Sequence, residues 1–286
     1  MAEPKPSMAD KTCLVTGANS GIGLETARGL AQRGARVLMV ARDPQRGEAA
    51  RTEVAESTGN DAVELLLCDL GSQRRVRELA AEVLERCERL DVLVNNAGLT
   101  LGELILTEDG IESTFAVNHL APFLLTALLR ERLEASAPAR VVTVASDAHK
   151  GGKIDFDDLS GERGFSGWRA YGQSKLANIL FTRELARRLD GSGVTATCLH
   201  PGVVRTGFAR KGPAFIRAYF KVAGLFLLKP ERGADTAVWL AASSEVEGAS
   251  GGYYVKRRLT DPSRAAHSSE TAARLWGVSE RLTGLS

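Results

Sequence analysis

One stretch near the amino end restricts the fold more than any other. Lys11-Thr12-Cys13-Leu14-Val15-Thr16 reads as a short buried strand. It runs into the glycine-rich turn Gly17-Ala18-Asn19-Ser20-Gly21-Ile22-Gly23. A helical pattern follows, with Ile22, Leu24, Ala27, Leu30 and Ala31 on one side, and Gly34 closes it. Arg36-Val37-Leu38-Met39-Val40-Ala41 then supplies a second strand. A strand, a glycine-rich turn, a helix and a strand form a βαβ unit, whose crossover makes the two strands parallel. Glycines let the backbone turn sharply and let a pyrophosphate come close. The free N–H groups at the helix start, with the helix dipole, favour phosphate. Gly17, Asn19, Ser20, Gly21, Ile22 and Gly23 are therefore candidate dinucleotide ligands. The spacing G-x-x-x-G-x-G differs from the common G-x-G-x-x-G, so the plain reading as an ordinary turn stands beside this one.

The alternation continues to the carboxyl end. Further strands are expected at Val63–Leu67, Val92–Val94, Arg140–Val144, Thr195–Leu199 and Gly252–Val255, with helical patterns between them. Continuous Val/Leu runs suggest strands buried on both faces. The expectation is an α/β fold, a doubly wound parallel sheet of Rossmann type, in one domain over residues 11–286. Gly17, Arg42, Asp69, Asn95, Ser146 and Pro201 all fall just after strands. In such sheets ligands bind outside the carboxyl ends of the strands, so these residues should converge.

Tyr171-Gly172-Gln173-Ser174-Lys175 places a phenol and an ammonium four residues apart, on one helix face. A free Tyr has a pKa near ~10. A cation about 4 Å away contributes on the order of 4 kcal/mol at an effective dielectric of ~20, and one pKa unit is about 1.4 kcal/mol. Lys175 is thus expected to bring Tyr171 most of the way to a working pKa near ~7. The bland alternative is a solvated helix face.

Composition excludes several classes. A chain of 286 residues with 44% hydrophobic and 25% charged residues suits one soluble globular domain. A net charge of +2 gives no reason to expect nucleic acid. Residues 1–10 are polar with two prolines, neither signal peptide nor membrane span, and read as a disordered lead-in with no transmembrane anchor. Cys13, Cys68, Cys87 and Cys198 contain no C-x-x-C pair. They read as buried reduced thiols, which suits a cytoplasmic location. No zinc spacing is present, and no metal is expected. His119 and His200 read as packing or supporting residues.

Taken with further motifs, the two constellations resemble the short-chain dehydrogenase/reductase family. Asn95-Asn96-Ala97-Gly98 follows Val92-Leu93-Val94. Asn118 lies within Phe115-Ala116-Val117-Asn118-His119-Leu120, Ser146 ends the strand Val141–Val144, and Pro201-Gly202-Val203-Val204-Arg205-Thr206 follows the sixth strand. The phrases Ala41-Arg42-Asp43, Ser146-Asp147-Ala148-His149 and His200-Pro201-Gly202 are similar to the retinol dehydrogenase branch. Ala145 departs from that branch, which usually has a Ser there. The resemblance implies catalytic Asn118, Ser146, Tyr171 and Lys175. Ser146 would bind the substrate oxygen, Asn118 would hold a water leading to Lys175, and Tyr171 and Lys175 would also touch the cofactor. It implies Asp69 and Leu70 at the adenine, Asn95, Ala97 and Gly98 along the adenosine ribose, and Val204 and Thr206 at the nicotinamide. The plain role of Asp69 is an N-cap for the helix starting near Ser72.

Arg42, directly after the second strand, suits a ribose 2′-phosphate better than a 2′-hydroxyl. NADP(H) is thus expected over NAD(H). The apolar segment 214–228, inside a lid region of about 207–230, favours a lipophilic substrate. Its other readings are a homo-oligomer contact or a weak peripheral membrane contact. The expected activity is an NADP(H)-dependent oxidoreductase of apolar aldehydes, ketones or alcohols. The alternatives are a reductase of a C=C bond or polycyclic ketone, and a non-catalytic dinucleotide-sensing module.

Overall fold

The computed structural model describes residues 7–204 and 228–285. Elements are numbered among these. Eight strands form one sheet in the order β3-β2-β1-β4-β5-β6-β7-β8. The strands are β1 (Thr12–Thr16), β2 (Arg36–Ala41), β3 (Val63–Leu67), β4 (Val92–Asn95), β5 (Ala139–Val144), β6 (Val194–His200) and β7 (Tyr253–Val255). All seven pair in parallel, and β8 (Arg258–Leu259) closes the edge antiparallel to β7. The order reverses beside β1, between β1 and β4. That point is where a doubly wound sheet opens a crevice.

The strand sequences explain the layers. Along β1, Leu14 faces one core while Cys13 and Val15 face the other, and all three are fully buried. Helices α1 (Gly21–Ala31), α2 (Pro44–Thr58) and α7 (Pro230–Ala242) cover one face. On the other lie α3 (Gln73–Arg86), α5 (Ala121–Ala135) and α6 (Gly167–Arg188). Helix α8 (Ser269–Thr283) packs outside α5 and α6. Its Trp276 stands edge-on to Phe123 and stacks on Phe181. The caps are local and readable. Asp43 accepts from the Arg46 amide to start α2, and Gly59, at φ 64°, ends it.

Three sequence expectations change. The eighth strand was not expected. Its two-residue turn puts Lys256 and Arg257 at positive φ, a cost usually avoided with Asn or Gly. Arg257 is held there by its amide bond to Thr236 Oγ1 and its guanidinium on Asp235. The lead-in read over residues 1–10 is too long, because Met8 is buried and its amide donates to the Arg33 carbonyl. The helix after Asp69 is capped by Ser72, which accepts from the Arg75 amide, and not by Asp69.

Candidate active site

The turn after β1 is built from close approaches. Gly17 has φ +65°, and a Cβ there would lie 2.9 Å from Ala97 Cα. A Cβ on Gly23 would lie 2.3 Å from the Gly17 carbonyl oxygen and 2.4 Å from Asn96 Nδ2. Only glycine fits either position. Asn96 and Thr16 lock this turn to the loop after β4. Asn96 Nδ2 donates to the Thr16 carbonyl (2.7 Å), and Thr16 Oγ1 accepts from the Asn96 and Ala97 amides (3.0 and 3.1 Å). Neither residue had been given a role from sequence. The signal was a hydroxyl in place of an aliphatic residue at the end of β1.

At the start of α1, the N-cap Ser20 makes no side-chain cap bond, and no acid sits in the first turn. The leading amides therefore have no internal anion. That donor set fits a phosphate. Asn19, Gly21 and Ile22 are half-buried around it and Ser20 is exposed. Val204 is buried. Both it and Ile22 approach the Cα of Gly233, which brings the end of the β6 loop to the same turn. Thr206 and nearly all of the 207–230 segment lie outside the described residues.

Arg42 is exposed beyond β2 and, among the described residues, makes a 3.7 Å ion pair with Asp69 Oδ2. The neighbouring Asp43 is committed to its cap. Asp69 accepts from the Gly71 amide at 2.9 Å, and Leu70 packs into the core beneath. Asn95 differs from its expected place. It is buried and donates to Thr126 Oγ1 at 3.0 Å, pointing into α5 and away from the crevice. Gly98 is exposed, and a Cβ on it would lie 3.3 Å from Asn118 Oδ1 and 3.4 Å from Lys175 Nζ. Ala97 is half-buried beside Gly17.

Asn118 sits in a π-helical turn, Ala116–Leu120, between the short helix α4 (Ser113–Phe115) and α5. Such wide turns recur at functional sites. The Asn118 side chain donates to the Leu99 carbonyl (3.0 Å) and Ser174 Oγ (2.9 Å), and accepts from the Leu99 amide (2.8 Å). Its two donors and one of its two acceptor positions are committed to protein. The side chain thus braces the Gly98–Leu99 loop against α6.

Helix α6 carries Tyr171, Ser174, Lys175 and Asn178 within two turns. Lys175 is buried, and its ammonium donates to the Val144 carbonyl at 2.8 Å. It lies 5.7 Å from the centre of the Tyr171 ring. Ser146 follows β5. Its hydroxyl accepts from the Ala148 amide at 3.2 Å and hydrogen-bonds the Tyr171 hydroxyl. Three of the four expected catalytic residues thus meet at the carboxyl end of the sheet, with Asn118 bracing them.

The electrostatics correct the sequence expectation. Tyr171 is pushed up to about 12 by loss of water, opposed by the Ser146 bond. Lys175 is pushed down to about 8 by the same cause. The expected cation at 4 Å is replaced by an amine turned onto a carbonyl, and burial penalises both charged forms. In this state Lys175 does not bring Tyr171 to a pKa near 7.

Trp168 and His149 also belong to the corner and were not legible in the sequence. Trp168, one turn before Tyr171, is 44% exposed, with its ring 6.1 Å from the Tyr171 ring. His149 and His200 both bond the backbone around Ser146. His119 is a buried neutral ring among Phe115, Phe123 and Phe181, bonded to Ser279 Oγ at 2.9 Å. Burial pushes it down to about 3. A cavity of about 430 Å³ opens at the opposite end of the sheet, lined by Asp91, Arg140 and Asp190, and holds none of these residues.

Comparison with known proteins gives consistent results. The family model described as short chain dehydrogenase matches residues 11–215. Retinol dehydrogenase 13 of Homo sapiens is 44% identical, over 98% of this chain and 87% of that protein. Retinol dehydrogenase 12 of Mus musculus is 44% identical over 96% and 87%. Among solved structures, an uncharacterized protein from Mycobacterium paratuberculosis superposes with TM-score 0.81 and 38% identity over 99% of this chain and 97% of that one. The RhlG/NADP active-site complex of Pseudomonas aeruginosa gives TM-score 0.69 and 30% identity over 86% and 94%.

Proposed function

Because the chain belongs to the short-chain dehydrogenase family, an oxidoreductase family, we propose that it transfers a hydride between NADP(H) and the carbonyl or alcohol carbon of a lipophilic substrate of retinoid type. The single observation that carries the reading is the meeting of Ser146, Tyr171 and Lys175 beside the uncapped start of α1 across the switch point of the sheet.

The chain's residues divide the work. The α1 amides with Gly17, Asn19, Ser20, Gly21, Ile22 and Gly23 take the pyrophosphate. Arg42 takes the 2′-phosphate, competing away its weak pair with Asp69, while Asp69 and Leu70 flank the adenine. Ala97 and Gly98 border the adenosine ribose, and Asn95 supports their loop from below. Val204 would lie at the nicotinamide, the place the resemblance also gives to Thr206. When bound, NADP(H) supplies or accepts the hydride. Ser146 donates to the substrate oxygen and stabilises the developing alkoxide. Tyr171 gives that oxygen its proton in reduction and removes it in oxidation. A phenol held neutral by burial is in the correct form to donate. Lys175 leaves the Val144 carbonyl to hold the nicotinamide ribose and supply positive charge near Tyr171. Asn118 keeps the Lys175 end of the site open to one water through its remaining Oδ1 lone pair.

The lipophilic substrate is supported by the exposed Trp168 ring beside Tyr171, which can stack on a flat apolar molecule, and by the printed names of the relatives. NADP is supported by Arg42 and by neighbours solved with NADP. A cytoplasmic location fits four buried, unpaired cysteines. No helix of the described residues is long and apolar enough to cross a membrane. The test is a panel of retinal, medium-chain aldehydes and cyclic ketones with both cofactors. Steady NADPH consumption with retinal is expected, and no turnover with any carbonyl contradicts the reading.

A further inference from the structure

Two histidines grip opposite sides of one peptide group, the one joining Ser146 to Asp147. The Ser146 carbonyl accepts from the His149 ring Nδ1 at 2.7 Å and from the His149 amide at 3.1 Å. The Asp147 amide donates to His200 Nδ1 at 3.3 Å. We propose that these two rings form a clamp that positions Ser146, and that the clamp holds only when the rings are in opposite tautomers and His200 is neutral. The proposal rests on the role given to Ser146 in hydride transfer.

The tautomers follow from the partners. The Ser263 amide donates to His149 Nε2 at 3.0 Å. A backbone N–H can only donate, so Nε2 is bare and the ring proton sits on Nδ1, aimed at the Ser146 carbonyl. His200 is the reverse. Its Nδ1 accepts from the Asp147 amide, so its proton sits on Nε2, 4.0 Å from Asp147 Oδ2. A second proton on His200 sets its Nδ1–H against the Asp147 N–H and releases that side of the peptide, whereas one on His149 sets Nε2–H against the Ser263 N–H and leaves the bond to the Ser146 carbonyl in place. The Ser146 hydroxyl is oriented by the same turn through the Ala148 amide. A shift of this peptide therefore moves the hydroxyl away from Tyr171.

The surroundings maintain neutrality. Among the described residues, Asp147, Lys150 and His149 are the charged and titratable groups facing His200, and Asp147 and Lys150 face His149. Asp147 favours protonation of both, but its carboxylate is shared. The Tyr253 hydroxyl from β7 donates to it at 3.0 Å and the Lys150 ammonium lies at 3.1 Å. The Tyr253 ring also stands edge-on to His149, with centroids 5.2 Å apart. Burial outweighs Asp147 and lowers both imidazoles below their ordinary range.

The experiment uses the full chain with NADPH and retinal. His200→Ala should lower kcat about tenfold to a hundredfold while leaving KM for NADPH nearly unchanged. His200→Asn keeps an acceptor for the Asp147 amide and cannot titrate. It should restore most of kcat and flatten the acid limb of the kcat profile. Wild-type kcat and acid limb in His200→Ala, or an Asn variant as impaired as the Ala one, overturns the clamp. Long-range proton–nitrogen NMR of the wild type is a second test, independent of turnover. His149 should appear as the Nδ1–H tautomer and His200 as the Nε2–H tautomer at neutral pH, and a charged His200 or the opposite tautomer at either position overturns the clamp. A wild type inert toward carbonyls would count against the proposed function, and the NMR result would still decide the clamp.

Discussion

The cradle after β1 and the corner around α6 lie at the same end of one sheet, and they are built by opposite means. The cradle uses backbone. Gly17, Gly23 and the uncapped amides of α1 make a shape with no buried ionisable side chain. The corner uses buried ionisable groups. Lys175, Tyr171, His149 and His200 each have a shifted proton affinity, and burial is the largest cause in every case. Steric demands can be read from residue types in a row. Burial is a property of the assembled fold and cannot.

That contrast predicts different kinds of loss. The largest belongs to the corner. Tyr171→Phe should lower turnover about 10³-fold, because it removes the proton donor. Calorimetric NADPH binding should stay within about twofold of wild type, since the cradle is untouched. Weakened binding together with slowed turnover would merge the two regions. In the cradle, Gly23→Ala drives a methyl into the Gly17 carbonyl and Asn96. Overpacking of this kind costs about 1–3 kcal/mol. Equilibrium binding should show it as a tenfold to hundredfold weaker dinucleotide affinity, on the order of 1.4 kcal/mol per factor of ten.

Arg42→Asp sharpens the cradle further. It should raise KM for NADPH about tenfold while leaving KM for NADH nearly unchanged, and equal effects on both would remove Arg42 from the 2′-phosphate. The smallest effect is on stability. The folded chain holds the Lys175 proton less strongly than the unfolded chain, with a pKa lowered from 10.5 to about 8. More protons are bound when unfolded between these values, so stability rises with pH through that window. Below pH 8 the penalty is complete. Lys175→Met should therefore be more stable there by on the order of 1 kcal/mol, with the advantage fading by about pH 10 and no turnover at any pH. Denaturant melts at two pH values would measure it, and a less stable Met variant at neutral pH would contradict it.

The sequence made much of this visible for a physical reason. Seven parallel strands were legible, most as Val/Leu runs between turn residues, and Tyr171 with Lys175 as a helical spacing. Ser146 was marked by its place after a strand. The misses follow a pattern. The Thr16–Asn96 lock joins residues 80 apart, and no local rule anticipates it. Asn95 reads like its neighbours Asn96 and Ala97, but strand alternation turns it into α5. The β8 hairpin lacks the usual turn residues and depends on Asp235 and Thr236 in α7. The Lys175–Tyr171 coupling was overestimated because the amine finds the Val144 carbonyl, a partner from another strand.

The most direct test follows one atom. NADPH deuterated at the nicotinamide C4 is incubated with the wild-type chain and a lipophilic aldehyde in ordinary water, and the product is examined by mass spectrometry and NMR. The account predicts an alcohol with one deuterium on the carbinol carbon, formed by the wild type and about 10³-fold more slowly by Tyr171→Phe. Deuterium on a former C=C carbon, or product formation undiminished in the Phe variant, would contradict it.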